Sequence, residues 1–356
     1  MSGLAISPEK EAQLLRLGES LDRLVTIDVT GRGVIDILYR AARLSQGGKP
    51  LSYLMTRTLV ERVKPRDVVV ISTCMPVGSL PYAEQDGPIG AATLARSLVL
   101  GLGAKPVIVT EERNLDLVAR TLKSAGLYVL PLSDAREQAT ACAVLPFTLD
   151  SEAAQAEARR MLDDLRPAAL IAIERAGANE HGVHHAARGH DLSAHNSKQD
   201  AMYELARLRG ILTIGIGDGG NELGCGLIRD EIAAGLPEIA RCKCPCGGLV
   251  VPSFVPDVLV TASVSNWGAY AGEAGIAAFT DRPYALHDRD LDLRVHTIAA
   301  LAGANNDGPR LLDPGADAVH ARYHGDLIEL MALLVDGSAD TGGLYRRDRW
   351  PWLYGV

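Results

Sequence analysis

The 356-residue sequence predicts an α/β fold, a mainly parallel sheet flanked by helices and entered through a helical N-terminal lead-in. Three observations predict it. Short runs such as Val68-Val69-Val70-Ile71-Ser72 are apolar almost throughout, as strands buried on both faces are. These runs alternate with helix-length amphipathic stretches, the pattern of βαβ units. Hydrophobic residues make up 47% of the chain but aromatics only 4%, so the core is built from Ala, Val, Leu and Ile, which suits a sheet covered by helices.

Ser7-Pro8-Glu9-Lys10-Glu11 reads as a helix start, with Ser7 as cap and Pro8 in the first turn, followed by Leu14, Leu15, Leu17, Leu21 and Leu24. Helical periodicity returns over Val34 to Ala42 and Leu51 to Val63, so residues 1–65 are expected to form a helical extension and 66–356 the α/β domain. After the strand at Val68 to Ser72, a helix is expected at Ala91 to Leu102, a strand at Pro106 to Thr110, a helix at Leu115 to Ala125 and a strand at Tyr128 to Leu132. A helix at Glu152 to Leu165, a strand at Ala169 to Ile173, a helix at Gln199 to Arg209 and a strand at Leu212 to Ile216 continue the series. Leu249 to Val251 and Val258 to Thr261 read as further strands, and Gly325 to Val335 as a closing helix.

A net charge of −8 without a Lys/Arg run argues against binding nucleic acid or an anionic membrane, since both need a basic surface. No stretch reaches the roughly 20 apolar residues that cross a bilayer. Met1 to Leu21 carries charges every few residues, unlike a signal peptide, so the expected address is the cytoplasm. The partner implied is a small-molecule substrate, with a homo-oligomer left open. Six cysteines are too sparse for a disulfide scaffold. Cys242-Lys243-Cys244-Pro245-Cys246 spaces its thiols by one residue, where zinc sites usually use two to four, so these are read as small apolar side chains leading into a strand.

Open parallel sheets place ligands beyond the carboxyl ends of their strands. The first such loop, Pro81 to Gly90, carries Glu84, Asp86 and Gly87 into a helix start. The second begins Glu174-Arg175-Ala176-Gly177 and runs on through His184, His185 and Arg188. A charged pair at a strand end is costly to bury without a partner, which favours function. None of the histidines has the spacing of a helix-borne zinc site, and each is read as solvated. The third loop, Gly215-Ile216-Gly217-Asp218-Gly219-Gly220-Asn221-Glu222-Leu223-Gly224, lets backbone approach a ligand while Asp218, Asn221 and Glu222 offer the oxygens that hard divalent cations prefer. Its spacing fits neither a dinucleotide fingerprint nor a P-loop, so no nucleotide cofactor is expected. Ser265-Asn266-Trp267 adds the polar Asn266, and Asn305-Asn306-Asp307-Gly308 the carboxylate of Asp307.

Together, Glu84-Gln85-Asp86-Gly87-Pro88-Ile89-Gly90, Ile173-Glu174-Arg175-Ala176-Gly177, Gly215 to Gly224 and Val264-Ser265-Asn266-Trp267-Gly268 resemble the D-glutamate cyclase-like C-terminal domain family over roughly Val68 to Val335. The resemblance implies an α/β fold and a link to the loss of water from D-glutamate to give 5-oxo-D-proline. It also implies that in the animal enzyme this domain follows a separate hydro-lyase-like domain, of which no counterpart is expected here. Stand-alone members look like Mn²⁺- or Mg²⁺-dependent enzymes with possible phosphatase activity. The expected site therefore has Glu174, Arg175 and Glu222 as catalytic groups and Asp86, Asp218, Glu222 and Asp307 as metal ligands. Glu84, Gly87, Arg188, Gly219, Gly220, Asn221 and Asn266 are expected to bind substrate. A cyclase-like hydro-lyase is the leading expectation, a metal-dependent phosphatase the alternative, and a non-catalytic ligand-binding protein the third.

Overall fold

The computed structural model describes residues 6–76, 83–306 and 311–338. Three helices come first: α1 (Pro8–Val25), α2 (Ile35–Ser45) and α3 (Leu51–Arg62). Then follow β1 (Val68–Ser72), α4 (Pro88–Ser97), β2 (Lys105–Thr110), α5 (Leu115–Ser124), β3 (Tyr128–Val129), α6 (Leu132–Glu137) and β4 (Ala141–Pro146). The second half runs α7 (Ser151–Leu165), β5 (Ala169–Ile173), α8 (Asp200–Leu208), β6 (Leu212–Gly217), α9 (Arg229–Gly235), α10 (Pro237–Ala240), β7 (Val258–Thr261), α11 (Ser265–Phe279) and α12 (Arg289–Leu301). A short hairpin, β8 (Gly315–Ala316) and β9 (Val319–His320), leads into α13 (Ala321–Ser338). No described helix is long and apolar enough to cross a membrane.

The seven main strands form one sheet in the order β3-β4-β2-β1-β5-β6-β7, with every pairing parallel. From β1 the chain first winds outward through β2, then returns to the other side of β1 with β5, so the winding reverses between β1 and β5. At such a switch point the carboxyl ends leave a crevice between diverging loops. Strand side chains alternate between two cores: Val69 and Ile71 enter the layer of α3, α4 and α11, while Val68 and Val70 enter that of α7 and α8. Helix α11 runs through the first layer with all fifteen residues buried, packed on by α1, α3, α4 and α13. Its glycines permit this: a Cβ on Gly275 would lie 2.1 Å from Thr56 Oγ1, and one on Gly268 2.6 Å from Ile216 Cγ2.

The α/β expectation holds, with β1, β5 and β7 at the expected residues. The strand expected over Tyr128 to Leu132 is only two residues long, because Pro131 turns the chain into α6. Leu249 to Val251 form no strand; an isolated bridge from Arg241 to Leu249 closes a loop there instead. Trp350 and Trp352 lie outside the described residues.

Candidate active site

Asp86 and Asn266 fix the geometry first, because each caps the other's helix. Asp86 Oδ2 accepts from Ser265 N at 2.8 Å and its Oδ1 from Asn266 N at 2.7 Å, at the start of α11. In return Asn266 Oδ1 accepts from Gly87 N at 2.9 Å and Gly90 N at 2.7 Å, at the start of α4. Two helix N-termini, each with its positive dipole end, are thereby brought beside the carboxyl end of β1. Gly87, at φ 94°, makes the turn; a Cβ there would lie 2.8 Å from Glu174 Cβ.

Glu174 follows β5 and holds a left-handed backbone, φ 46°, that L residues other than Asn and Asp seldom adopt. Its carboxylate accepts from Ser265 Oγ at 2.5 Å, which ties the end of β5 to the head of α11. The glycine-rich turn after β6 wraps around Glu222: Oε1 accepts from Asp218 N (3.1 Å) and Gly219 N (2.6 Å), and Oε2 from Gly220 N (2.7 Å). Asp218 instead pairs with Arg32 Nη2 at 2.6 Å, and the same nitrogen reaches Asp317 at 3.3 Å and Ser263 O at 2.7 Å.

Two sets of carboxylate oxygens result, each within 4.8 Å: Asp86, Asp218 and Asp317, and Glu174, Asp218 and Glu222. Asp218 belongs to both, so five carboxyls, four buried and Asp317 half-buried, converge near the guanidinium of Arg32. Their titration follows from this imbalance. Burial, then the charge of Asp218, pushes Asp86 up to about 8 and Glu222 up to about 7. Burial raises Glu174 well above the ordinary carboxylate range, with Asp218 and Glu222 adding to it, and burial beside Asp218 does the same to Asp317. Burial also pushes Asp218 upward, but Arg32 and hydrogen bonds from its neighbours outweigh it and hold the group below the usual range.

An all-carboxylate set of this kind fits a hard divalent cation, whose ligands are oxygens. Nearby Thr73 Oγ1, Ser263 Oγ and both amide atoms of Asn305 are buried without a protein partner, as polar groups around a ligand site are. A pH dependence follows. Because the folded pKa values of Asp86 and Glu222 lie above the unfolded range, the folded state holds more protons; the contribution of these two groups to stability is full below the unfolded range and is lost as pH rises toward 7–8. In chelator, urea midpoints are expected to drop between pH 5.5 and 8.5, and Mn²⁺ to reverse most of the drop. A midpoint that rises over this interval in chelator would contradict the protonated cluster.

The structure thus brings Asp86, Glu174, Asp218 and Glu222 together, with Gly219 and Gly220 as backbone donors. Asn221 donates to His185 O at 3.0 Å, and Glu84 is buried beside the backbone of Asn305. Arg188 is exposed, next to Ala187, whose Cβ would lie 3.3 Å from a Cβ on Gly219. Arg175 is engaged elsewhere: fully buried, it pairs with Glu111 at 2.6 Å and donates to Cys74 O and Ser197 O, each at 2.9 Å. Asp307 lies outside the described residues. His184 and His185 are buried, against the expectation that they are solvated; His184 pairs with Asp200 at 2.7 Å.

Arg32 and Asp317 went unread. Arg32 had a faint signal, a cation between Gly31 and Gly33 ahead of a helix. Asp317 had none, since its turn uses Asp317 and Ala318, both at positive φ, where glycine or asparagine would mark such a hairpin. An open cleft of about 510 Å³ lies at the opposite, amino edge of the sheet, lined by Arg66, Arg136, Glu137 and Asp163 among others. Its exposed, mutually paired charges make it a weaker candidate than the carboxyl edge.

Residues 21–332 match the family model described as D-glutamate cyclase-like, C-terminal. The chain is 28% identical over 260 residues to "D-glutamate cyclase, mitochondrial" of Homo sapiens, an alignment covering 70% of this chain and 37% of the relative. The chain therefore spans well under half the length of that curated relative. These similarities favour neither the phosphatase nor the non-catalytic expectation.

Proposed function

The chain belongs to the D-glutamate cyclase-like C-terminal family, and from that premise we propose that it catalyses the ring closure of D-glutamate to 5-oxo-D-proline with loss of water. What supports this reading is a pair of neighbouring carboxyls within 4.8 Å whose surroundings push them in opposite directions, burial raising Glu174 and Arg32 lowering Asp218. Such a pair is what acid–base chemistry at neutral pH requires.

The reaction forms a bond between the amine nitrogen and the side-chain carboxyl carbon, and breaks a carbon–oxygen bond of that carboxyl. The ammonium loses two protons in all and the side-chain carboxylate gains two, one to become a carboxyl and one as its hydroxyl leaves as water. One proton therefore passes from nitrogen to the carboxylate, and one more is taken up and one given by the protein, which Asp218 and Glu174 exchange to reset. Asp218, kept ionised by Arg32, takes a proton from the amine side, and Glu174, kept protonated by burial, donates one to the hydroxyl. Ser265 Oγ holds the Glu174 carboxyl in place. Arg188, exposed beside the glycine turn, supplies the grip for the substrate's other carboxylate. Arg175, expected as a catalytic group, is given a supporting role below its neighbour Glu174. Asp86 and Asp317 would hold a divalent cation, which would polarise a substrate carboxyl and offset the negative charge of the site.

The test is incubation of the purified chain with D-glutamate, with Mn²⁺ or Mg²⁺ and with chelator, following 5-oxoproline by chromatography. Ring closure of the D enantiomer in preference to L-glutamate is expected. Absence of product under every metal condition would overturn the proposal, and phosphate release from small phosphate esters in the same preparations would replace it with the hydrolase reading.

A further inference from the structure

The Cys242-Lys243-Cys244-Pro245-Cys246 segment, expected to be apolar lead-in to a strand, is neither buried core nor strand. Arg241, Lys243, Pro245 and Gly247 are exposed, while the three thiols between them are half-buried. The chain bends at 243–244 and turns at 245–246, with Gly247 N donating to Cys244 O at 3.4 Å and Gly247 at φ 66°, and this folding back, not an extended run, draws the three thiols together. Across from them stands the buried His185, from a different loop. Its Nε2 lies 3.3 Å from Cys244 Sγ and 3.6 Å from Cys246 Sγ, and Cys242 Sγ lies 3.4 Å from Cys246 Sγ. One ligand atom from each of the four lies within 4.8 Å of the others.

We propose that Cys242, Cys244, Cys246 and His185 Nε2 form a structural zinc site. Bond lengths of about 2.3 Å to sulfur and about 2.0 Å to nitrogen set tetrahedral edges of about 3.8 Å between sulfurs and about 3.5 Å between sulfur and nitrogen. The observed separations fall within a few tenths of an ångström of these. The cysteines are free, and 3.4 Å between sulfurs is far from the roughly 2.0 Å of a disulfide. Four protein ligands leave no open position, which marks a structural site and not a catalytic one. Backbone Gly248 N donates toward Cys246 Sγ at 3.5 Å and Asn179 Nδ2 at 3.6 Å, as donors around a metal-bound thiolate do.

The surroundings show why a metal staple is needed. Residues 176–197 and 241–257 contain no helix or strand, and the small apolar cluster under the first loop contains only Met75, Ala176 and Leu192 as buried members. The loops are otherwise joined by polar contacts, Asn179 Nδ2 to Leu249 O at 2.8 Å and Lys243 N to Gly189 O at 2.8 Å. Zinc there would fix the loop whose His185 carbonyl receives Asn221, at the back of the glycine turn that holds Glu222.

The full chain, purified without chelator, is expected to contain one zinc that is released when its thiols are titrated with a mercurial reagent. Exchange for Co²⁺ is expected to give thiolate-to-cobalt charge-transfer absorption. Cys246→Ser is expected to abolish both signals, while Asp317→Asn, in the carboxylate cluster, keeps them and so separates the two metal sets. Zinc at buffer background in the parent protein, together with no thiolate–cobalt absorption after reconstitution under reducing conditions, would overturn the proposal. So would a native mass lower by the two hydrogens of a disulfide among these cysteines in freshly prepared, air-protected protein.

Discussion

Glu111→Ala is expected to lower the unfolding free energy by about 3–5 kcal/mol, the effect of stranding a buried guanidinium. Arg175 has 0% and Glu111 1% of its side chain exposed, with Nη2 and Oε1 at 2.6 Å. Glu111 is also satisfied from three other sides, by Ser197 N at 2.8 Å, Asn114 Nδ2 at 3.0 Å and Thr110 Oγ1 at 3.1 Å. Burial pushes Glu111 upward, but Arg175 overrides it and leaves the group below the ordinary carboxylate range. Its contribution is therefore present above that range and lost as pH falls through the depressed folded value. Alanine removes the partner and leaves Arg175 with neutral acceptors, the carbonyl oxygens of Thr73, Cys74 and Ser197 and the Ser197 hydroxyl. Against a total of about 5–15 kcal/mol, that loss brings the fold near its limit. Urea denaturation at pH 7 measures it. The double replacement Glu111→Leu with Arg175→Met should recover most of the loss, because apolar groups of similar size leave nothing unpaired. A single-variant loss below about 1 kcal/mol would place the pair in an environment far more polar than the structure shows.

The pair also explains why the sequence places Arg175 at the site while the fold turns its guanidinium to Glu111. A Glu-Arg dipeptide at a strand end announces that something must compensate two charges, but the residue doing so, Glu111, sits at the end of a different strand. Local sequence carries no record of that meeting. The same limit hides Asp317 and Arg32, which reach Asp218 from a two-residue hairpin and from the loop before α2. Asp86, Glu174 and the pair Asp218 and Glu222 were legible because they follow β1, β5 and β6, and parallel strands deliver their carboxyl ends to one edge. The strands themselves were legible where burial on both faces gives a continuous branched run, as in β1 and β5. Ala141-Cys142-Ala143, opening β4, has no such run, since alanine is depleted in strands. Helix α11 shows no amphipathic period because it is surrounded on all sides, and its glycines, needed for close packing, read as turns. The convergence of the thiols with His185 is hidden for a related reason: rules for zinc ligands describe the paired half of a site, whereas the proposed site takes three ligands from one segment and the fourth from a distant loop.

Glu174→Gln should lower kcat for D-glutamate ring closure by about 10²- to 10⁴-fold, the range for removing a general acid. The amide keeps the size of the side chain and can still accept from Ser265 Oγ, so KM is expected to change little. It cannot release a proton to the departing hydroxyl. Burial, Asp218 and Glu222 all oppose the charge of Glu174 and so favour its acidic form. In the parent enzyme kcat should therefore decline on the alkaline side as this proton is lost, and the variant should lack that limb. Folding is expected to be unharmed: a neutral amide replaces a carboxyl that the fold already keeps neutral, and the left-handed backbone at φ 46° is the same strain for either residue. Steady-state kinetics across pH, with urea midpoints measured in parallel, separate these outcomes. A variant with parental stability and kcat within about threefold of the parent would remove Glu174 from proton transfer, since a difference that small is under 1 kcal/mol of barrier. The acid would then have to be sought at Glu222, whose carboxylate already accepts from three backbone N–H groups. Those bonds favour its charged form, which is why Glu174, with a single hydroxyl donor, is the better placed of the two.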